Sequence, residues 1–434
     1  MSNWRNVEIG KVIDFNPSES IKKGTIAKKI PMDKLKVFEK KIKGFEFSEY
    51  SAGPKFRNGD TLVAKITPCL ENGKTAQVDV LAENEVAFGS SEFIVLRENE
   101  NTINDFIFYL AKSPAFRKRA IGCMEGTSGR KRVNEGALKL QVLPIPDKLT
   151  QQKIAKVLSD LDSKIELNNR INTELEAMAK TLYDYWFVQF DFPYSPPSEG
   201  CPQDGVGIGK PYKTSGGKMV WNDELKREIP EGWEVGELKD IANITMGQSP
   251  PGESYNEEGN GMIFYQGCTD FGNRYPTIRK FTTSPTRFAK QGDILLSVRA
   301  PVGTLNISKE DCCIGRGLAC MNSKNNAITY LFGVMVNLKQ IFDRRNVSGT
   351  TFGSITKDDL FSLPVIIPTK KTVRAFQNLV FPACEKQNKI ELENQELASL
   401  RDWLLPMLMN GQVSVGDGEE ELGMVAEESP RYGK

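Results

Sequence analysis

The 434-residue chain contains no histidine. That absence removes a histidine general base, Ser–His and Cys–His dyads, and any histidine-ligated metal centre. The eight cysteines (69, 123, 201, 268, 312, 313, 320 and 384) form no Cys-x-x-Cys pair. They read as reduced, mostly buried small apolar residues, and no metal site is expected. No stretch of about 18 apolar residues occurs, so no membrane span is expected. The opening Met1-Ser2-Asn3-Trp4-Arg5 lacks the apolar core of a secretory signal, which points to the cytoplasm. Excess charge is missing too. The formal net charge is +1, and residues 416–434 hold six acids against Arg431 and Lys434, leaving +5 elsewhere. This balance does not by itself predict a nucleic-acid partner, so any such contact must rest on local clusters.

Cofactor loops are also missing. Asn16-Pro17-Ser18 is not the Asn/Asp-Pro-Pro-aromatic tetrad of an adenine methyltransferase. Asn72-Gly73-Lys74-Thr75 imitates the end of a phosphate loop, but Pro68 stands where the first glycine is needed, so it reads as a hairpin turn. Gly205-Val206-Gly207-Ile208-Gly209 lacks flanking strand and helix patterns. Glu39-Lys40-Lys41 has a nuclease-like form without an evident Asp partner. No catalytic residue is expected.

What the chain does contain, it contains twice. Lys164-Ile165-Glu166-Leu167 returns as Lys389-Ile390-Glu391-Leu392, 225 positions later. Each copy follows a segment that opens on a tryptophan (Trp4, Trp233) and carries a Gly-Asp-x-Leu turn (Gly59–Leu62, Gly292–Leu295). A Gly-Thr loop follows (Gly126–Gly129, Gly349–Gly353), then an apolar run ending in proline (Val142–Pro146, Pro364–Pro368). An ordered repeat of this kind sets the architecture before any single motif does.

Residues 1–148 read as a mixed α/β (α+β) domain. Strands are predicted at Asp60–Ile66, Ala76–Val80 and Phe93–Leu96, and a helix over Asn104–Ala120. Residues 149–190 read as one long helix. Ile154, Leu158, Leu161, Ile165, Asn168, Asn172, Leu175, Ala179, Leu182 and Trp186 alternate steps of four and three, a heptad seam. About 40 residues at ~1.5 Å each give a rod of about 60 Å. Residues 191–230 are dense in Gly, Pro and Ser and read as an irregular linker. Residues 231–369 repeat the mixed domain. Residues 370–412 form a second helix, with Ile390, Glu393, Leu397, Leu400, Leu404 and Met407 in the same phase. Residues 413–434 form an acidic tail expected to be disordered. Two such helices flanking a domain most economically pair antiparallel, giving a pseudo-twofold repeat; packing of each on its own domain is the plainer alternative.

These residues resemble the specificity (S) subunit of Type I restriction–modification systems. The resemblance is carried by the helix from Leu149-Thr150-Gln151-Gln152-Lys153-Ile154 to Leu182-Tyr183-Asp184-Tyr185-Trp186-Phe187, by Pro230-Glu231-Gly232-Trp233, and by Gly349-Thr350-Thr351-Phe352-Gly353-Ser354-Ile355. It covers nearly the whole chain outside the linker and tail. It implies two target-recognition domains, each reading half of a split double-stranded DNA target. It implies an antiparallel coiled coil that sets their spacing and docks two methyltransferase subunits, joined by restriction/translocase subunits. S-adenosylmethionine, ATP and Mg would then sit on the partners, with none bound by this chain. The Gly126-Thr127-Ser128-Gly129-Arg130 loop lacks the Phe-Gly of its counterpart, so the two loops need not act alike. A scaffold that reads no DNA and a fused nuclease or methyltransferase are the alternatives.

Candidate DNA contacts follow from charge near the Gly-Thr loops. They are Arg117-Lys118-Arg119, Arg130-Lys131-Arg132 and Arg344-Arg345, with Thr127, Ser128, Thr350 and Thr351. Gly-rich geometry favours the second cluster, whereas a solvated helix face is the plainer reading of the first. Base readers are sought among Gln248, Tyr265, Gln266, Arg274, Arg279 and Arg299 in the second module, and Lys65, Lys74 and Ser90-Ser91-Glu92 in the first. The coil and partner interface is expected at Leu158, Leu161, Ile165, Asn168, Asn172, Leu175, Ile390, Leu397, Leu400 and Leu404.

Overall fold

In the computed structural model, each Gly-Asp-x-Leu segment is a turn that starts a buried strand. Gly59 and Gly292 adopt φ of +92° and +86°, a region that L side chains rarely occupy. The next residue closes the turn: an Asp60 carboxylate oxygen accepts from the Arg57 N–H at 2.9 Å, and an Asp293 oxygen from the Lys290 N–H at 2.9 Å. Leu62 and Leu295 then enter the core fully buried. Beyond the turn the anchors differ. Asp60 receives the Arg97 guanidinium at 2.6 and 2.7 Å, and Glu19 completes the group at 2.7 Å. Bonding to Asp60 raises the Arg97 pKa above its ordinary value despite burial. Asp293 instead accepts from the Asn322 amide at 3.2 Å.

The structure describes residues 4–127, 129–194, 209–347 and 354–416, with the backbone only of 340, 341 and 343–347. The chain divides into two units, Met1–Leu167 with Asn394–Lys434, and Asn168–Glu393.

The first unit contains an antiparallel sheet in the order Asp14–Phe15, Phe93–Arg97, Thr61–Ala64, Thr75–Gln77. A second sheet runs Glu46–Glu49, Ile26–Ile30, Ala87–Gly89, Lys55–Phe56, with its middle pair parallel. The opening strand Arg5–Glu8 pairs antiparallel with the closing run Val142–Ile145. The second unit repeats this plan. Its antiparallel sheet is Ala242–Met246, Leu318–Ser323, Ile294–Ser297, Leu305–Ile307. Its mixed sheet is Tyr255–Asn256, Phe281–Thr282, Met262–Tyr265, Cys312–Ile314, Phe288–Ala289, again with one parallel pair. Glu234–Glu237 pairs with Pro364–Ile367. Order, sense and closure recur, so the repeated motifs mark a repeated topology.

The predicted helix over 104–120 is broken. Asn104–Lys112 ends at Ser113, and Pro114 starts a new helix to Gly122 with the Ser113 side chain as its N-cap. A proline is favoured in the first helical turn and costly in the interior, and Pro114 follows an N-capping serine, which places the break. The turn over Asn72–Thr75 joins two antiparallel strands, with Gly73 at φ +79°.

The long helices span Lys148–Tyr183, extended by a π turn over Asp184–Val188, and Lys370–Met409. In the first unit, Ile154, Ala155 and Leu158 share a core with Leu405, Leu408 and Met409, and Arg401 donates to Asp162 at 2.8 Å. In the second unit, Asn168 donates to Glu393 at 2.8 Å and Gln387 donates to the Asn172 carbonyl at 3.1 Å. Further along, Tyr183 and Trp186 lie with Phe376 at ring separations of 6.2 and 5.5 Å. Rising numbers on one helix meet falling numbers on the other, so this pairing is antiparallel. Asn168 and Glu393 occupy equivalent positions of the 225-residue repeat.

The heptad phase of the first helix agrees with its burial at Ile154, Leu158 and Asn168, with Leu161, Ile165, Asn172 and Leu175 half-buried. On the second helix Ile390 is buried and Leu397 and Leu404 are half-buried, but Leu400 is 44% exposed. The inward positions are Gln387, Glu391, Asn394, Leu405 and Leu408. The expectation for Leu400 is therefore corrected: polar Gln387, Glu391 and Asn394 hold buried positions, and Gln387 is satisfied by the Asn172 carbonyl of the facing helix.

The linker reading is corrected in part. Pro193–Tyr194 pairs with Lys210–Pro211, and Met219–Asn222 with Arg227–Pro230. Phe192 stacks on Tyr212 and Trp233 at 4.7 and 5.0 Å, so aromatic burial outweighs the irregular composition. Val413 and Val415 pack on the first unit's core. The acidic run beyond 416 and most of Gly205–Gly209 lie outside the described residues.

Candidate nucleic-acid interface

In the first unit, Met124–Glu125 and Arg132–Val133 form a hairpin around the Gly-Thr loop. Gly126 and Gly129 take φ of +118° and +81°, and the Arg130 N–H donates to the Thr127 carbonyl at 3.1 Å. The loop leans on the end of strand Thr61–Ala64. Both the N–H and the hydroxyl of Thr67 donate to the Lys131 carbonyl at 3.0 Å, and Val133 N–H donates to the Lys65 carbonyl at 2.9 Å. Thr127, Arg130 and Lys131 are exposed, and neither basic side chain pairs with a described residue. Arg132 is different: its guanidinium grips Glu92 through bonds of 2.8–3.0 Å. That bonding raises the Arg132 pKa and lowers that of Glu92. Lys65 pairs with Glu135 at 3.0 Å.

The second unit uses the same stitching. Ile355 N–H donates to the Val298 carbonyl at 2.9 Å, and Arg299 bridges to Ser354 as Ile66 bridges to Arg132. Each strand end leads into a cis peptide, Thr67-Pro68 and Ala300-Pro301.

A second meeting point lies where the mixed sheet hands over to the antiparallel one. In the second unit this is the turn Gly315-Arg316-Gly317. Ile314 N–H donates to the Arg287 carbonyl (2.9 Å), Gly315 to Tyr265 (2.8 Å), Leu318 to Gly315 (3.0 Å) and Val298 to Gly317 (3.0 Å). In the first unit the turn is Ser90-Ser91-Glu92. Gly89 donates to Pro54 (3.1 Å), Ser90 to Ile30 (3.3 Å), Phe93 to Ser90 (3.1 Å) and Lys65 to Glu92 (2.8 Å). The two turns lie 225 positions apart and make the same four bonds. Their side chains differ: Arg287, Gln266, Arg299 and Arg316 are exposed in the second unit, and none of the three arginines pairs with a described residue.

Several predicted contacts serve the fold instead. Arg117 donates to the Leu70 and Glu71 carbonyls at 3.4 and 2.6 Å and lies 4.9 Å over the Phe38 ring; burial lowers its pKa. Arg119 donates to Ala115 on its own helix at 3.1 Å, and Lys74 to the Met32 carbonyl at 3.1 Å. Arg274 donates to Asn388 on the second long helix at 2.6 Å and lines a cleft of about 420 Å³ with Phe332, Phe376 and Cys384. Arg279 binds the buried Asp270 and ties the loop after Gln266. An arginine buried against acceptors is cheaper than one left unpaired, and sequence alone does not show which acceptors come near. Lys118 is exposed. Side chains of Arg344 and Arg345, and Ser128, Thr350 and Thr351 altogether, lie outside the described residues. Sequence reasoning missed Arg287 and Arg316; the signal for the latter was Gly-Arg-Gly between two strands.

The nuclease-like triplet dissolves into ion pairs: Glu39 with Lys43, Lys40 with Asp105, and Lys41 with Glu166. No His/Cys/Asp/Glu group able to hold a metal occurs among the described residues, and no helix there is long and apolar enough to cross a membrane.

Comparison with known proteins agrees with this architecture. The family profile described as Type I restriction modification DNA specificity domain matches residues 1–177 and 230–401. The putative type I restriction enzyme MjaX specificity subunit of Methanocaldococcus jannaschii is 31% identical over 364 residues, 82% of this chain and 79% of that one. The HindI specificity subunit of Haemophilus influenzae is 24% identical over 95% of this chain and 100% of its own. The crystal structure of the type I restriction–modification S subunit from M. genitalium shares the fold, with a TM-score of 0.57 at 16% identity, covering 94% of this chain and 96% of that one. A repeated mixed domain, two long helices and a match over both halves lead to one conclusion: this chain belongs to the type I restriction–modification DNA specificity family and is a specificity subunit.

Proposed function

We propose that the two modules read the two halves of a split double-stranded DNA target, and that the paired long helices set the number of unread base pairs between them. The helices also dock two methyltransferase subunits, which methylate one adenine per half-site at N6; restriction/translocase subunits join them. S-adenosylmethionine, ATP and Mg belong to those partners, so this chain contributes position and not chemistry. It acts in the cytoplasm, where host DNA is.

The observation that carries the reading is the pair of equivalent turns, with matched backbone bonds and unmatched side chains. One frame bearing two chemistries suits two different half-sites, as a symmetric dimer suits a palindrome. Exposed Arg130, Lys131 and Thr127 on the Gly-rich loop supply phosphate contacts in the first module, and Lys118 adds charge nearby in sequence.

Methylation-sensitive sequencing of host DNA, with and without this gene, tests the reading. Loss of a single split motif, modified at adenine on both strands, is the expected result; retention of every motif would refute it. Lengthening both helices by one heptad, which adds roughly 10 Å, is expected to lengthen the unread spacer.

A further inference from the structure

We infer that the turn between the mixed and antiparallel sheets is a base-reading element in both modules, and that Arg316 reads a guanine in the half-site of the second. This rests on the DNA-reading function proposed above and names residues within it.

Three observations converge on Arg316. First, its backbone is held from several sides: Gly315 donates to Tyr265, Gly317 accepts from Val298, and the Arg316 N–H donates to the Ser249 hydroxyl at 3.4 Å. Second, the flanking glycines are required by close packing. A Cβ on Gly315 would lie 3.1 Å from the Gln266 backbone, and one on Gly317 2.8 Å from the Gln266 carbonyl oxygen. The turn is thus clamped against Gln266-Gly267. Third, the Arg316 side chain is exposed and unpaired among the described residues, with the Arg287 carbonyl accepting from Ile314 at the start of the turn and Val298, next to Arg299 in sequence, donating to Gly317 at its end.

A phosphate contact tolerates a mobile cation, because the charge alone suffices. Discrimination between bases needs a donor fork held in place, since a loose group bonds to any acceptor in reach. The clamped turn fixes the backbone from which the Arg316 side chain extends, and the two acceptors on guanine's major-groove edge match its planar fork and hold it once paired. Gln266 beside it offers both donor and acceptor.

The equivalent turn explains why the modules would differ. Where the second has Gly317, the first has Glu92; where the second has Ser354, the first has Arg132, locked on Glu92. The first module's turn thus presents Ser90, Ser91 and a carboxylate already engaged, with no free arginine of its own.

The test uses the assembled complex purified from its host, with wild-type, Arg316→Ala or Arg316→Lys chain. The motif found by sequencing is placed in duplex oligonucleotides, each carrying one base-pair change, and binding to each is measured against the unchanged duplex. The expected result is a loss of discrimination at one G·C pair, in one half-site only, by roughly 5- to 150-fold in both variants. Lysine keeps the charge without the fork and should not restore it. Unchanged discrimination at every position overturns the inference. So does uniformly weakened binding in Arg316→Ala that Arg316→Lys restores, which would mark a phosphate contact. Failure of the underlying reading looks different: deleting the gene would then leave every methylated motif in place.

Discussion

Lys112 offers a stability test worked directly from the structure. It ends the helix Asn104–Lys112, is only 4% exposed, and no described atom accepts from its ammonium. Arg401 faces it from the second long helix, with Asp402 beside it, Asp162 from the first long helix, and Tyr109 from its own helix, whose hydroxyl donates to Asp162 at 2.7 Å. Burial, then repulsion by Arg401, lowers its pKa from 10.5 to about 8. Below pH 8 both folded and unfolded chains carry the charge, so the full cost of burying it is present. Between pH 8 and 10.5 the unfolded chain binds more protons, so stability rises with pH; above 10.5 the cost is gone. A shift of this size corresponds to about 3 kcal/mol. Lys112→Met keeps the length of the stem and removes the charge. The first unit is expected to unfold about 5–10 °C higher at pH 7 in the variant, with the gain fading towards pH 10.5. Calorimetry of both proteins across that range measures it. A variant less stable than wild type at pH 7 would refute the reasoning, because the ammonium would then be held by an acceptor.

The remaining predictions concern the frame and the reading turns. Leu158→Asp, at a fully buried position shared by both long helices, should destabilise the first unit by about 4 kcal/mol or more and weaken partner assembly, measurable by denaturant unfolding and size-exclusion chromatography. Asp60→Ala should cost about 3 kcal/mol because it removes two of the three bonds on the buried Arg97 and leaves Glu19 alone to hold it, whereas Asp293→Ala, which loses a backbone N–H and an amide, should cost about 1–2 kcal/mol. Comparable losses in the two modules would contradict the difference in their anchors. Glu92→Gln should leave stability nearly unchanged, since Arg132 is exposed and solvent screens the pair, yet alter base preference in the other half-site from Arg316→Ala. A change in the same half-site would count against two separate reading modules.

The repeat, the two long helices and the Gly-Asp-x-Leu turns were legible because each rests on local rules. A heptad spacing needs only one chain's periodicity and a positive-φ turn favours glycine, whereas the break before Pro114 was read through as one helix. The first helix's seam was readable because its inward positions are mostly apolar. The second was misjudged at Leu400 because the polar residues Gln387, Glu391 and Asn394 are buried there, Gln387 by donating to the Asn172 carbonyl of the facing helix, which no periodicity of one chain reveals.

Site residues divide along the same line. Composition shows where arginines are, but not which carbonyl or carboxylate the fold brings to them. Arg117, Arg132 and Arg274 sit in basic or turn-rich sequence and are engaged within the chain by acceptors 40 or more residues away. Arg316 stands in an ordinary strand-to-strand step, and its significance comes from backbone bonds to segments near Tyr265 and Val298. The sequence by itself determined that one plan is used twice and that two long helices pair, since repetition and period are properties of the chain. Only tertiary structure decided which charges remain free at equivalent places in the two modules, because that depends on pairings between residues far apart in sequence.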